Sequence, residues 1–292
     1  MKIKTKKFVI IFLLASYYFV YCKSSEPYWF ANEKNLYLVR VVRQQVQFYF
    51  HIEPETNTAR IQELSKSIEH FMQLLETYPY IKIVPKKYDI IIYKNYKSYK
   101  NYRPFDVDSL AHFDRKTKYI HIPLLYTFDK EDPNFQIDVP DYVVFHEIIH
   151  SILEDCCSHY PIWLNEGLSL LLQNVRSPFV CGKTQIEMNL NLDRVNQIIN
   201  QIIFHLPYYP EFWSIYDLYE QTLLSGLYVY FLWNQNRLLK FIEFINSDEV
   251  KNSKKNLFIL ITKGNLEIYE NEKKEFLLWL IQLQPRSLLR GC

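Results

Sequence analysis

The chain lacks several features that would assign it to common protein classes. It has 292 residues and a formal net charge of only +2, which argues against a nucleic-acid partner. It has no Cys-x-x-Cys pair, which argues against a structural zinc knuckle. Glycine (5) and alanine (4) are scarce while tyrosine (24) and phenylalanine (20) abound, so this general bias makes the aromatic residues poor indicators of a binding surface. The chain is 49% hydrophobic, enough for a substantial core in one or two subdomains.

An uncharged apolar run lies near the start of the chain. Residues 1–7 carry four lysines, and the run extends from Phe8 to Tyr21. A basic segment followed by ~7–15 apolar residues is typical of a secretory signal and is short for a membrane span. Residues 1–22 are therefore predicted to be a signal peptide or an N-terminal membrane anchor, and Cys22 adds lipoprotein attachment as a third alternative. All three alternatives predict an exported protein of the cell envelope or extracellular space, and the anchor and the lipoprotein also predict membrane association through the N-terminus.

The other cysteines leave the disulfide pattern open. Cys156, Cys157, Cys181 and Cys292 are enough for two bridges, and ordinary free thiols are the alternative. Adjacent cysteines pair with each other only under strain, so a bridge at Cys156 or Cys157 is expected to need a distant partner.

The spacing of apolar residues divides the chain into a mixed part and a helical part. Residues 36–140 are predicted to form an N-terminal α+β subdomain, residues 141–284 a helical subdomain, and residues 285–292 a tail. The first part is predicted to contain strands at 46–52 and 88–93, a helix over 61–75 capped by Asn57 or Thr58, and a hairpin of 110–113 with 119–122. The second is predicted to contain further helices near 193–205, 214–234, 236–247, 254–263 and 270–283.

At the junction of the two parts stands His146-Glu147-Ile148-Ile149-His150. Two histidines four residues apart on a helix lie on one face, so both can reach a single metal ion. The glutamate between them is placed to take a proton from a water molecule at that ion. Apolar residues on both sides predict a buried helix. The alternative interpretation is a buried helix with two structural histidines.

A third ligand can be sought by geometry. Glu154 lies two turns beyond His146, about 11–12 Å along the helix, too far to share an ion with it. His159 is the other rival for the third ligand. The metzincin pattern, however, needs a glycine and a histidine at the positions where this chain has Leu153 and Cys156, so that pattern is absent. Glu166 lies on a second apolar run, Ile162 to Leu172, which is predicted to fold back over the histidines. Glu166 is therefore the preferred third ligand, and the fourth position stays open as catalytic zinc requires.

These residues resemble the gluzincin metallopeptidases, and more narrowly the peptidase MA-like group related to thermolysin and aminopeptidase N. The resemblance is carried by His146–His150, by the fifteen residues that separate His150 from Glu166, and by Trp-Leu-Asn-Glu-Gly-Leu-Ser at 163–169. It implies a zincin-like fold with Zn²⁺ on His146, His150 and Glu166 between the two subdomains, and Glu147 as general base and acid. It further implies Tyr219 at the oxyanion, and an edge strand at Ala111, His112 and Phe113 that pairs with substrate backbone.

Two departures from the family pattern matter. Thermolysin-like enzymes orient a zinc histidine with an aspartate where this chain has Leu170, so Ser169 or Asn165 is expected to hold the ring. The aminopeptidase motif Gly-Ala-Met-Glu-Asn is absent, which argues against a pocket for a substrate N-terminus.

The sequence therefore predicts an exported zinc metallopeptidase acting on a peptide or protein. One alternative is a catalytically silent zinc-binding envelope protein with a scaffold role. The other is a zinc hydrolase of non-peptide amides or esters.

Overall fold

The computed structural model describes residues 36–41, 46–102, 110–127, 136–178, 205–209, 211–215, 217–253 and 255–283. The predicted signal or anchor at 1–22, the tail at 285–292 and almost all of the predicted helix at 193–205 lie outside these residues. The strands are β1 (Leu36–Val41), β2 (Val46–Ile52), β3 (Lys87–Tyr93), β4 (His112–Asp114), β5 (Tyr119–Pro123), β6 (Leu125–Thr127) and β7 (Gln136–Asp138). The helices are α1 (Thr58–Leu75), α2 (Tyr96–Tyr102), α3 (Asp141–Cys156), α4 (Ile162–Leu172), α5 (Phe212–Ile215), α6 (Leu218–Asn234), α7 (Leu238–Ile245), α8 (Asp248–Lys251), α9 (Leu257–Thr262) and α10 (Leu266–Leu283).

The larger sheet is mixed, which confirms the α+β class. Its strand order is β1-β2-β3-β5-β4, with β2, β3 and β5 parallel and an antiparallel strand on each edge. Parallel strands need a crossover, and α1 supplies it between β2 and β3. β6 and β7 form a separate antiparallel pair. The predicted strands and the β4–β5 hairpin are confirmed, with His112 opposite His121.

Helix α1 shows how the local sequence sets an element. The side chain of Asn57 accepts hydrogen bonds from the backbone N–H groups of Ala59 and Arg60, which confirms one of the two predicted caps. The helix buries a stripe at helical spacing, and Phe71 stacks on Phe145 of α3 with ring centroids 4.1 Å apart. Arg60 also forms an ion pair with Asp141, so α1 holds the first turn of α3 in place.

Helices α3 and α4 form the predicted hairpin. Each begins directly after a proline, Pro140 or Pro161, whose φ of −62° suits a helix start. On one side α3 packs against β4 and β5, and on the other against α4. Lys118 in the β4–β5 turn binds Glu154 of α3 (2.7 Å), so the turn is tied to this helix.

The later helices differ from prediction mainly at their starts. The segment expected at 214–234 is split into α5 and α6, because Asp217 caps a new helix by accepting a bond from the N–H of Glu220. The helix expected from residue 270 begins at Leu266. Among the residues that the structure describes, no helix combines the length and apolar character needed to cross a membrane.

Gly167 allows α4 to lie directly against α6. A Cβ added at Gly167 would lie 2.4 Å from Cγ2 of Val229 and 2.6 Å from the backbone oxygen of Ser225, whereas one added at Gly226 would meet side-chain atoms of Leu170, with Cδ1 at 2.6 Å and Cβ at 3.2 Å. A side-chain end can rotate away, but helix backbone cannot. Gly167→Ala is therefore expected to lower the free energy of unfolding by about 3 kcal/mol and Gly226→Ala by about 1 kcal/mol. Urea unfolding of both variants measures the difference, and equal losses would contradict this account of the helix contact.

Candidate metal centre

The two histidines of α3 point to a common place. Their Nε2 atoms are 2.9 Å apart and their rings meet edge to face, with centroids 4.5 Å apart. Both side chains are mostly buried, with 14% and 13% exposed for His146 and His150. The four-residue spacing on one helix produces this pairing directly.

Glu166 completes a triangle with these histidines. Its Oε2 atom lies 3.6 Å from the Nε2 atom of His146 and 3.6 Å from that of His150. Ligand atoms around a tetrahedral zinc ion, bound at ~2.0–2.1 Å, are ~3.3 Å from one another. The three observed separations lie on either side of that value. Among the described residues this is the group of histidine, cysteine and acidic side chains that could hold a metal ion.

Amide oxygens hold the outer nitrogen of each ring. The Nδ1 atom of His146 lies 2.9 Å from Oε1 of Gln173, and that of His150 contacts Oδ1 of Asn165, with Oγ of Ser169 at 3.2 Å. An amide oxygen accepts, so each Nδ1 carries the proton and each Nε2 presents its lone pair to the centre. Two lone pairs that face each other at 2.9 Å fit the chemistry of a bound cation.

Both Asn165 and Ser169, the two residues predicted as alternatives to hold a histidine ring, contact His150, whereas the contact of Gln173 with His146 was missed. Gln173 lies seven residues after Glu166, so it is on the same face of the α4 helix and its cap, and this spacing was a usable signal. Leu170 stands where thermolysin-like enzymes have an aspartate. It faces α6, where its side chain lies against Gly226, and so contributes to packing.

In the metal-free protein, the charges at the candidate metal centre favour an ion pair between protonated His150 and the carboxylate of Glu166. Burial lowers the pKa of His150, but the carboxylate of Glu166 and its hydrogen bond, with Glu147 and Asn165, raise it to about 9. Burial likewise raises the pKa of Glu166, but the two histidines hold it well below its usual range. The negative charge of Glu166 therefore favours any cation at this place, whether a proton on His150 or a metal ion.

These shifts predict how the stability of the metal-free protein depends on pH. The raised pKa of His150 contributes stability that is fully present below its ordinary value of 6.5 and is lost as the pH rises through about 9. The lowered pKa of Glu166 contributes stability above its ordinary value of 4.5, so it does not offset that loss. With chelator present, the free energy of unfolding is expected to fall between pH 6.5 and 9. Glu166→Ala should flatten this fall, and an equally steep fall in that variant would assign it to other groups.

Glu147 lies between the two histidines on α3 and is 8% exposed. It is close enough to His150 to raise the pKa of that ring. It is therefore beside the candidate metal centre, on the flank of the helix next to the histidine face. Its service as a general base stays a prediction.

The predicted substrate strand lies at an edge of the sheet. Ala111 is buried just before β4, while His112 and Phe113 are the first two residues of β4, which pairs on one side with β5. The ring of His112 stacks on His121 at 4.6 Å, and its Nδ1 atom lies 2.8 Å from the hydroxyl of Tyr99. The side chain of His112 is thus part of the packing, and any role for it toward substrate is through its backbone.

Tyr219 is the second residue of α6 and is 56% exposed. An exposed tyrosine at a helix start can turn toward a bound substrate. Its role at the oxyanion stays a prediction.

Gln173 offers a test of the outer hydrogen bonds. Gln173→Met keeps the size of the side chain and removes the oxygen that holds Nδ1 of His146. Zinc affinity is expected to fall about 10–100-fold, as for other partners of metal-bound histidines. The matched control is Asn174→Ala, because the Asn174 amide instead donates to the carbonyl of Leu170. Equal affinities of the two variants, measured with a competing chelator, would contradict a role for Gln173.

A scan of the chain against protein-family models and a search of curated proteins both returned no match. The gluzincin resemblance therefore depends on the residues of the motif and their spacing.

Proposed function

We propose that this protein is an exported, zinc-dependent metallopeptidase of the gluzincin type. The observation that carries the proposal is the triangle of His146, His150 and Glu166, with both Nδ1 atoms held by amide oxygens. Two imidazole nitrogens and one carboxylate oxygen suit zinc, whereas magnesium and calcium prefer oxygen ligands throughout. Three protein ligands leave room for water or substrate, as in catalytic zinc sites.

In the proposed mechanism Glu147 of α3 transfers protons and Tyr219 of α6 stabilises the oxyanion. A zinc ion held by His146, His150 and Glu166 would supply a Lewis acid for the scissile carbonyl and would lower the pKa of the attacking water. Glu147 accepts the proton of that water as it attacks, and passes the proton to the departing amine. A buried carboxylate next to the candidate metal centre is suited to both transfers. Tyr219 is proposed to stabilise the developing oxyanion.

The sheet edge favours a peptide as the substrate. In the order of the described strands, β4 pairs with β5 and stands at the end of the larger sheet. Because α3 packs against β4 and β5, an extended chain added to β4 would run alongside the helix of the metal ligands. The proposed zincin-like cleft therefore lies between the sheet and the helices that follow α3. Export, and membrane association through residues 1–22, rest on the sequence of that segment.

The test combines metal content with cleavage. The purified protein is analysed for zinc and is then incubated with a mixed-peptide library, with and without chelator. We expect one zinc per chain and cleavage that chelator removes and added zinc restores. One zinc with no cleavage would favour a scaffold, zinc-dependent hydrolysis of esters alone would favour the non-peptide hydrolase, and absence of zinc would overturn the proposal.

A further inference from the structure

Two adjacent thiols lie at the end of α3. Cys156 is the last residue of that helix and Cys157 is its C-cap, and neither is in a disulfide. Their Sγ atoms are 2.6 Å apart, so one thiol donates a hydrogen bond to the other. A disulfide needs a separation of about 2.05 Å, a short further approach. The free thiols match one of the two alternatives left open by the sequence, and the two sulfur atoms lie close enough to react with each other if the strain of an adjacent pair is met.

The surroundings of the pair favour reaction. The hydrogen bond from Cys156 lowers the pKa of the Cys157 thiol, burial opposes this, and Tyr160 and the charge of Lys251 add to it, giving a value of about 7. The same bond raises the pKa of Cys156. Cys156 is partly exposed while Cys157 is 6% exposed, so a small reagent reaches Cys156 first. A thiol beside a thiolate, near a lysine, is typical of reactive cysteines.

The pair also lies at the connection between the two helices of the candidate metal centre. The N–H of Cys157 makes the last bond of α3 to the carbonyl of Leu153 (2.7 Å), and its carbonyl accepts from the N–H of Tyr160 (2.9 Å). Pro161 and α4 follow at once. Asn246 holds the same loop from the far side, through Tyr160 (2.8 Å) and His159 (3.0 Å). The backbone of Cys157 therefore helps to set how Glu166 on α4 is placed relative to the histidines on α3.

From this geometry we infer that Cys156 and Cys157 form a redox-active dithiol whose oxidation to a disulfide weakens metal binding at His146, His150 and Glu166. Adjacent Cα atoms are about 3.8 Å apart, below the usual 4.4–6.8 Å for a disulfide, so closing the ring distorts the backbone of the pair. In the dithiol form the ligand triangle already has separations suited to zinc. A displacement of α4 relative to α3 would change the distances from Glu166 to both histidines, and we expect metal binding to weaken.

The oxidant is a small-molecule disulfide. Cys157 first releases its proton to solvent, and Cys156 then attacks one sulfur of the oxidant while its own proton passes to Cys157. This step forms a mixed disulfide and expels the first small thiolate. Cys157 releases that proton, attacks the sulfur of Cys156 and expels the second thiolate. The expelled thiolates take up two protons, so the dithiol loses two electrons and two hydrogens and the small disulfide becomes two thiols. Strained disulfides are readily reduced, which makes the change reversible.

The effect on metal binding rests on the proposed function, but the chemistry of the pair does not. The test treats the full protein with glutathione disulfide, removes the reagent, and records intact mass, peptide map and zinc affinity. We expect a loss of two hydrogen atoms per chain, a Cys156–Cys157 link in the map, about tenfold weaker zinc binding, and full reversal by a phosphine reductant.

Matched variants separate the pair from the other cysteines. Cys156→Ser and Cys157→Ser should each abolish both the mass change and the loss of affinity, whereas Cys181→Ser and Cys292→Ser should preserve them. A bridge to Cys181 or Cys292, or two free thiols after treatment, would overturn the inference, and so would a Cys156–Cys157 bridge with unchanged zinc affinity. If the proposed function is wrong, the result is different: the protein binds no zinc even with both thiols reduced.

Discussion

Replacing Glu147 with glutamine is expected to lower the rate of peptide hydrolysis about 10²–10⁴-fold while one zinc stays bound per chain. Glutamine has nearly the same shape, but it cannot accept the proton of the attacking water or return it to the leaving amine. The proposed metal ligands are His146, His150 and Glu166, so the metal content should not change. The rate is measured with a peptide identified in the library screen, and the zinc content is measured on the same sample.

Glu154→Gln is the matched control, because Glu154 lies on the same helix and pairs with Lys118. It changes one carboxylate of α3 at a distance from the metal centre, so both hydrolysis and zinc content should stay near the wild-type values. Hydrolysis retained in Glu147→Gln would contradict the general-base mechanism. An equal loss in both variants would indicate damage to the helix.

Replacing Glu166 with alanine is expected to have the largest effect on the metal. It removes one ligand of three and the only negative charge among them, so zinc affinity should fall by more than ~100-fold, beyond the loss caused by removing an outer hydrogen bond. Glu166→Asp shortens the side chain and draws the oxygen away from both histidines, so it should bind zinc more weakly than wild type but better than alanine. Competition with a chelator of known affinity measures all three proteins.

Glu243→Ala is the control for this series, because Glu243 is an exposed acid on α7, away from the ligands in sequence. It should bind zinc as the wild type does. Unchanged zinc affinity in Glu166→Ala would show that Glu166 is not the third ligand. The alternative weighed from the sequence was His159, but the structure has that ring bonded to Asn246.

Prediction from the sequence succeeded where local patterns are sufficient. The hairpin of α3 and α4 was predicted because Pro140 and Pro161 suit helix starts and apolar residues follow at helical spacing. The strand from Val46 was predicted because apolar residues at 46, 48, 50 and 52 alternate with Gln47, Tyr49 and His51, and the first three of those apolar residues are buried in the structure. The split at Asp217 was missed, although an aspartate before a helix is a cap signal, since apolar residues on both sides suggested one continuous helix.

By itself the sequence determined the candidate ligands, the candidate base and their order, because a four-residue spacing places two histidines on one face of any helix. It also determined which stripe of each helix is apolar. Only the tertiary structure decided that Gln173 reaches His146, that Leu170 turns to α6, that β4 lies at a sheet edge, and that the thiols of Cys156 and Cys157 touch. The reason is physical: periodicity sets which way a side chain leaves its own helix or strand. What that side chain meets depends on strand order, on helix crossings and on close approaches such as the one that Gly167 permits.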